Sequence, residues 1–182
     1  MEIRRLKKEN YDELISLLNL VFSKQNGCEM DFEKELPNMC VRDDAHMRKH
    51  IGLFINDKLV SVVGVYPLPT KVLDKEINFC TVGNVATHPD YEGLGHMNIL
   101  LNRAMEIVKE EKYDICRLGG DRARYLRFGF ELCGGNYSYY ITPKNTKKSL
   151  LGGYGQNTRA VEIFSNDEKS LTFAREVYHQ NK

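Results

Sequence analysis

At 182 residues the chain can bury one sizeable core but is short for two comfortable domains. With 42% hydrophobic and 28% charged residues it has the make-up of a globular protein, which excludes a disordered or collagen-like chain. Basic and acidic side chains number 26 and 25, a net charge of +1, so no overall field recruits nucleic acid or an anionic membrane, and any anion site must be local.

The first element is a short strand in "EIRRL", residues 2–6. Asn10 followed by Glu13 has the spacing of a capping box, and Leu14, Ile15, Leu17, Leu18, Val21 and Phe22 then form a helical stripe. Residues 23–50 read as polar and irregular, broken at Pro37, a place for a substrate-facing loop or short helix. Within them His46 and His50 stand four apart behind Asp43 and Asp44. On a helix they would share a face and could hold a metal, but with no third ligand the segment reads as polar surface.

From residue 51 the period changes. "IGLFI", a turn at "ND" and "KLVSVVGVYPL" predict a hairpin of β-branched strands. "TKVLDKEINFCTVGNVATHP" extends it, with a turn at Asp74-Lys75, into an antiparallel meander. A glycine turn, "HPDYEGLGHM", leads to a helix whose apolar stripe is Met97, Leu100, Leu101, Ala104, Met105 and Val108. A strand over 113–120 returns by the right-handed crossover and so lies parallel in the sheet. "DRARYLRFGFEL" predicts a short helix ending at Gly129 and a strand over 130–133, and "NYSYYITP" one more strand at 136–143. The fold class is α/β (α+β): a mixed, mostly antiparallel sheet flanked by helices.

Residues 1–143 form the expected domain. Residues 144–182 read as a basic, Gly-rich linker with a terminal strand and helix, either the start of a further domain or a piece that docks back. The five cysteines (Cys28, Cys40, Cys80, Cys116 and Cys133) are odd in number and contain no CxxC pair, which fits a reducing cytoplasm better than disulfides or zinc. "MEIRRLKKEN" lacks the apolar stretch of a signal peptide and no run has the length of a membrane span, so a cytoplasmic protein without a membrane partner is expected.

A strand that feeds a helix through glycines aims backbone N–H groups and the helix dipole at one point, which suits an anion. Taken alone, so short a glycine pair reads first as a tight turn before a core helix. Two neighbours change the balance. Pro89 ends the preceding strand and denies further ladder bonding, which can splay adjacent strands into a slot. About one crossover later comes "YLRFGF", with Tyr125 one helical turn before a Gly-aromatic pair.

Meander, "VATHPDYEGLG", helix, strand and "DRARYLRFGFE", in that order, resemble the GNAT superfamily of acyl-CoA-dependent N-acyltransferases. Met97, Gly120, Asp121, Arg122, Arg124, Tyr125, Phe128, Gly129 and Phe130 fit the wording of its enhanced-intracellular-survival-type bacterial branch. The resemblance implies a GNAT fold with a splayed parallel strand pair, and acetyl-CoA as co-substrate with no metal. The activity implied is N-acetyl transfer to a primary amine, in a small molecule or peptide, by direct attack in a ternary complex. The other reading is a non-catalytic module that binds acyl-CoA or a partner protein.

By the same resemblance Glu92, Gly93, Leu94, Gly95, His96 and Met97 align with the family's coenzyme A pyrophosphate segment. Glu92 replaces its cation and Met97 its terminal small residue. Val85, Ala86 and Thr87 would present backbone groups to the pantetheine arm, and Tyr125 would protonate the departing thiolate. Arg122, Arg124 and Arg127 are candidate phosphate partners. His88, Asp90, Asp121 and Glu131 lie near the slot, but no spacing singles one out as general base.

Overall fold

Chain reversals and two amphipathic helices set the architecture of the computed structural model, which describes residues 1–133. The strand expected at 136–143, the linker and the terminal strand and helix lie outside the described residues. Strand β1 (Glu2–Arg5) leads through a 3-10 turn into helix α1 (Tyr11–Asn26). The capping box does not form, because both side chains are held by partners beyond the helix's first turn. Asn10 Oδ1 accepts from the Lys7 N–H at 3.1 Å, and Glu13 Oε1 accepts from the Leu59 N–H at 3.0 Å. Gly27, at φ 67°, ends α1 with its N–H on the Ser23 carbonyl, the left-handed helix stop that glycine permits.

Residues 23–50 are more helical than their polarity suggests. Besides the end of α1 they hold α2 (Phe32–Glu35) and α3 (Asp44–Met47), started by the side chains of Asp31 and Asp43, which accept from the N–H groups of Lys34 and His46. Then β2 (His50–Ile55) and β3 (Lys58–Pro67) form the expected hairpin. Its turn residues Asn56 and Asp57 have φ 49° and 60°, the paired left-handed conformation that matches strand twist.

Strands β4 (Thr70–Val72) and β5 (Lys75–Ile77) turn at Leu73-Asp74, one residue earlier than predicted, and form a sheet of their own. β6 (Phe79–Thr87) rejoins the main sheet, followed by α4 (His96–Glu110), β7 (Ile115–Leu118) and α5 (Arg122–Tyr125). Residues 130–133 are not a strand; no described strand runs beside them to supply a ladder.

The main sheet has the order β1-β2-β3-β6-β7 and is antiparallel except at the β6–β7 edge. α1 covers one face, packing Leu14, Leu17 and Leu18 against Phe54, Val62 and Ala86. α4 covers the other with Leu100, Leu101, Ala104 and Ile107 against Val63, Val65 and Val82. The predicted stripe of α4 is right in direction, but Ile107, not Val108, is the fully buried side chain of its last turn. Each fully buried Leu or Ile contributes roughly 1.5–3 kcal/mol of transfer free energy, so the two helix faces dominate the balance.

A bulge divides β6. Val62 faces Ala86 and Gly64 faces Gly83, so Val63 stands opposite both Asn84 and Val85. Asn84 takes φ 50°, a left-handed conformation that asparagine tolerates better than most residues. Alternation shifts by one there: Cys80, Val82 and Val85 face α4, whereas Ala86 faces α1.

His46 and His50 are not surface residues; they are 8% and 0% exposed. The reason is that α3 delivers the chain directly into β2, whose first residue already pairs with Gly64 in the middle of β3. Burial, and then His46 beside it, lower the His50 pKa from 6.5 to about 4. Between about pH 6.5 and about 4 the unfolded chain therefore binds more protons at this position than the folded one, and acid destabilises the fold. Unfolding in urea at pH 7 and at pH 4.5 should give a difference of which on the order of 3 kcal/mol belongs to His50. His50→Gln should flatten the pH slope, and an unchanged slope would place the acid sensitivity elsewhere.

Candidate active site

The ladder between β6 and β7 covers Phe79–Val82 and Ile115–Leu118 and then stops. β6 runs on for Gly83–Thr87 without a partner on that edge among the described residues, so its backbone donors and acceptors there can serve a ligand. Directly beyond, Pro89–Tyr91 form a 3-10 turn, Glu92 is extended, and Gly93 and Gly95 take φ 77° and 81°. No atom of the described residues lies within 4 Å of a Cβ built on either glycine. Glycine is needed here for its left-handed backbone rather than to relieve crowding, and the space in front stays open. Gly95 is the N-cap of α4, so the first N–H groups of a 15-residue helix face the same opening.

These parts border an open cleft of about 590 Å³. Of the residues expected to hold the coenzyme, Val85, Thr87, Glu92, Gly93, Gly95, His96 and Met97 line it. Ala86, Leu94 and Tyr125 do not. Ala86 is 2% exposed and points into the α1 core, because the bulge has turned it away from Val85. Leu94 stands 64% exposed at the tip of the glycine turn. His96 is nearly buried and faces the Tyr91 carbonyl through Nδ1 at 3.3 Å, which ties the turn to the helix start.

The charge around Glu92 differs from what the local sequence suggests. Lys24, in the last turn of α1, donates from Nζ to Glu92 Oε2 at 3.3 Å and also lines the cleft. The acidic residue in the glycine turn is thus matched by an ammonium from across the opening. A lysine near a helix C-terminus is ordinary for dipole reasons, so the sequence gives no hint of this role. Of the three arginines near Tyr125, Arg124 and Arg127 line the cleft, the latter donating to Asn98 Oδ1 at 2.6 Å. Arg122 instead forms a two-pronged pair with Glu131.

Tyr125 ends α5 within the core on the α4 side, its ring edge-on to Phe130 with centroids 6.4 Å apart. A Cβ on Gly120 would come within 2.6 Å of that ring, so Gly120 lets the strand-to-helix turn sit directly against it. No described residue forms a hydrogen bond with its hydroxyl.

The base candidates have structural partners. His88 Nδ1 accepts from the Asp90 N–H, and Asp121 caps α5 on the Ala123 N–H. Hydrogen bonding by the Arg122 guanidinium, helped by the Leu132 N–H, pulls the Glu131 carboxyl down to about 2, so it is a poor proton acceptor. No group of three His, Cys, Asp or Glu is placed to hold a metal ion among the described residues. Nor is any described helix long and apolar enough to cross a membrane.

A left-handed glycine turn at the start of a long helix, beside a strand edge released from its parallel neighbour, is an arrangement that suits an extended anionic ligand. A sequence model of the acetyltransferase (GNAT) domain matches residues 2–133, and the chain belongs to that family. A GNAT family acetyltransferase from Brucella melitensis, solved with acetyl-CoA, is similar with a TM-score of 0.59 and 18% identity over 72% of this chain and 82% of its own. Eis1 from Mycobacterium abscessus is similar at TM-score 0.55 and 14% identity over 71% of this chain. An Enterococcus faecalis V583 protein described as a probable N-acyltransferase has TM-score 0.57 and 18% identity over 70% of this chain. The matches cover 31% of the length of each of the last two, so this chain spans about a third of them. At these identities the similarity establishes the fold. No curated protein sequence matches the chain.

Lys24 and Glu92 side chains are 59% and 53% exposed. A double-mutant cycle on the pair should therefore give less than about 1 kcal/mol of coupling in stability, falling further with salt. A larger coupling would mean that the contact holds α1 to the glycine turn.

Proposed function

We propose that this domain is an N-acetyltransferase that moves the acetyl group of acetyl-CoA to a primary amine. The observation that carries the reading is the conjunction of Gly93 and Gly95, both left-handed before α4, with the unpaired β6 edge ending at Thr87. The first supports a diphosphate site built from backbone N–H groups, and the second a lane for the amide-bearing pantetheine arm. Lys24, Arg124 and Arg127 around the same cleft supply the cations that Glu92 does not.

The amine nitrogen attacks the thioester carbon while both substrates are bound. A C–N bond forms, the C–S bond breaks, and the proton lost by the amine passes to water, from which the sulfur's proton donor is restored. Backbone donors of Val85–Thr87 hold the carbonyl and stabilise the charge that develops on its oxygen, which is catalysis by orientation and electrostatics. The family resemblance, rather than the cleft lining, assigns Tyr125 the role of giving a proton to the leaving sulfur; it is nearly buried, with no described residue hydrogen-bonded to its hydroxyl. A phenolic hydroxyl is a hydrogen-bond donor and can give its proton as the thiolate forms. The Eis1 likeness and the "GDRARY…FGFE" wording support placing the chain near the enhanced-intracellular-survival branch. Other members of that branch would then carry the domain within a longer chain.

Tyr125→Phe should lower turnover by about a hundredfold or more while acetyl-CoA affinity stays near wild type. A free-thiol assay over an amine library, paired with calorimetry, reads both, and unchanged turnover removes Tyr125 from the mechanism. Acetyl-CoA binding without thiol release for any amine would favour the non-catalytic reading. Lys24→Ala should weaken acetyl-CoA by about three- to tenfold at low salt and less at high salt, whereas Glu92→Arg should tighten it only modestly. A large gain from Glu92→Arg would show that the glutamate weakens the cradle and that Lys24 does not offset it.

A further inference from the structure

The bulge in the open stretch of β6 holds a residue at positive φ in the middle of a sheet, and a chain of side chains meets there. Asn84 Nδ2 lies 2.6 Å from Tyr66 Oη and 3.2 Å from His50 Nε2, and Tyr66 Oη lies 2.7 Å from the same Nε2. An amide nitrogen only donates, so Tyr66 accepts from Asn84 and donates its O–H to Nε2 in a hydrogen bond. His50 is therefore neutral, with its proton on Nδ1. Nδ1 is buried without a hydrogen bond of normal geometry, and the nearby carbonyls of His46 and Met47 are the groups that favour a proton there.

The sheet gives up a side chain to make room for this arrangement. A Cβ on Gly64 would lie 2.4 Å from Tyr66 Oη, and one on Gly83 would lie 3.5 Å from the ring. Gly64 and Gly83 are register partners on β3 and β6; the phenol excludes a side chain at Gly64, whereas a Cβ at Gly83 would make only ordinary contact with it. Nothing in the proposed acyl transfer uses these groups chemically. They touch the bulge, and the bulge sets where Val85 and Thr87 face the cleft.

We infer that His50, Tyr66 and Asn84 are positioning residues that lock the Asn84–Val85 bulge and so aim the unpaired β6 backbone at the acyl group of the bound thioester. This rests on the acetyl-CoA reading above and adds to it the device that sets its geometry. A neutral imidazole accepting from the phenol keeps the chain in one direction, and the left-handed φ of Asn84 is fixed from its side chain. A loosened bulge leaves the glycine turn and its phosphate contacts in place but lets the carbonyl donors drift. That costs orientation rather than coenzyme affinity.

The test uses Tyr66→Phe, which removes the relay hydroxyl, Asn84→Gly, which keeps positive φ accessible but deletes the clamp, and the double variant. Each is titrated with coenzyme A by calorimetry. The carbonyl stretch of carbon-13-labelled acetyl-CoA is then recorded by difference infrared at saturation. In the full-length wild-type chain the stretch should fall below that of free acetyl-CoA, as hydrogen bonding to the carbonyl requires. In either single variant it should move back toward the free value, with coenzyme A affinity within about twofold of wild type. Turnover should fall by about tenfold or more in each single variant and no further in the double, as one interlocked chain demands.

A wild-type stretch that persists in both single variants, or losses that multiply in the double, would overturn the inference while leaving the acetyl-CoA reading intact. A wild-type chain that binds no coenzyme A would overturn that reading and this one together. Should Tyr66→Phe fail to fold, Asn84→Gly carries the infrared comparison alone, because it leaves the Tyr66–His50 bond unbroken.

Discussion

Everything in this domain turns on β6 serving as a paired strand on one edge and an open one on the other. Along β3 it is bonded from Cys80 to Thr87, but along β7 only from Phe79 to Val82. A continuous regular strand would keep its alternation and present Ala86 and Cys80 to the same face. The extra residue at Asn84 breaks that rule. It sends Val85 to the α4 side and Ala86 to the α1 side, so both cores stay filled while the strand changes direction of use. The parallel ladder ends two residues before Asn84, and Val85 and Thr87 line the cleft directly after it.

The second organising feature is that the cleft gains its positive charge from elements far apart in sequence. The glycine turn contributes no cation and one carboxylate, yet Lys24 from α1 and Arg124 and Arg127 from beyond β7 converge on it. Backbone N–H groups at the start of α4 need no side chain to bind an oxyanion, because their dipoles are fixed by the helix. Under that division of labour Glu92 is tolerable. It is over half exposed, matched by an ammonium, and screened over a Debye length of about 8 Å at physiological salt. Its effect is to hold Lys24 at the mouth of the cleft, where a bound phosphate would compete for the same ammonium.

Much of this fold is legible in the order of the residues. The Asn56-Asp57 hairpin, the α4 stripe, the parallel crossover and the glycine turn all carry local signals strong enough to survive tertiary context. What does not read has physical reasons. The capping box at Asn10 and Glu13 is a valid local motif, overridden because a strand N–H at Leu59 needs an acceptor more than the helix start does. His50 sits in the charged run "DDAHMRKH" and so reads as exposed, although its position at the head of β2 puts it inside the sheet. The bulge does leave a trace in Gly83-Asn84 within an otherwise β-branched run, since glycine and asparagine are the residues that weaken or twist a strand there. Lys24 leaves none, because its partner is 68 residues away.

The arrangement of proton-bearing groups also says what kind of catalyst this site can be on the acetyl-transfer reading. His50 is neutral and sealed in the sheet, His88 and Asp121 cap turns, and Glu131 is held as a weakly basic carboxylate by Arg122. A lysine-like acceptor with a pKa of about 10.4 is unprotonated in only about one molecule in a thousand at neutral pH, a penalty of roughly 4–5 kcal/mol, whereas an α-amine of about 8 pays about 1 kcal/mol. Orientation of two bound reactants supplies on the order of 7–11 kcal/mol, enough to absorb either penalty. With no committed base among the described residues, such a site would work by placing the carbonyl well and drawing the rare neutral amine from solution. For such a site, the backbone angle at Asn84 matters more than the identity of any nearby carboxylate.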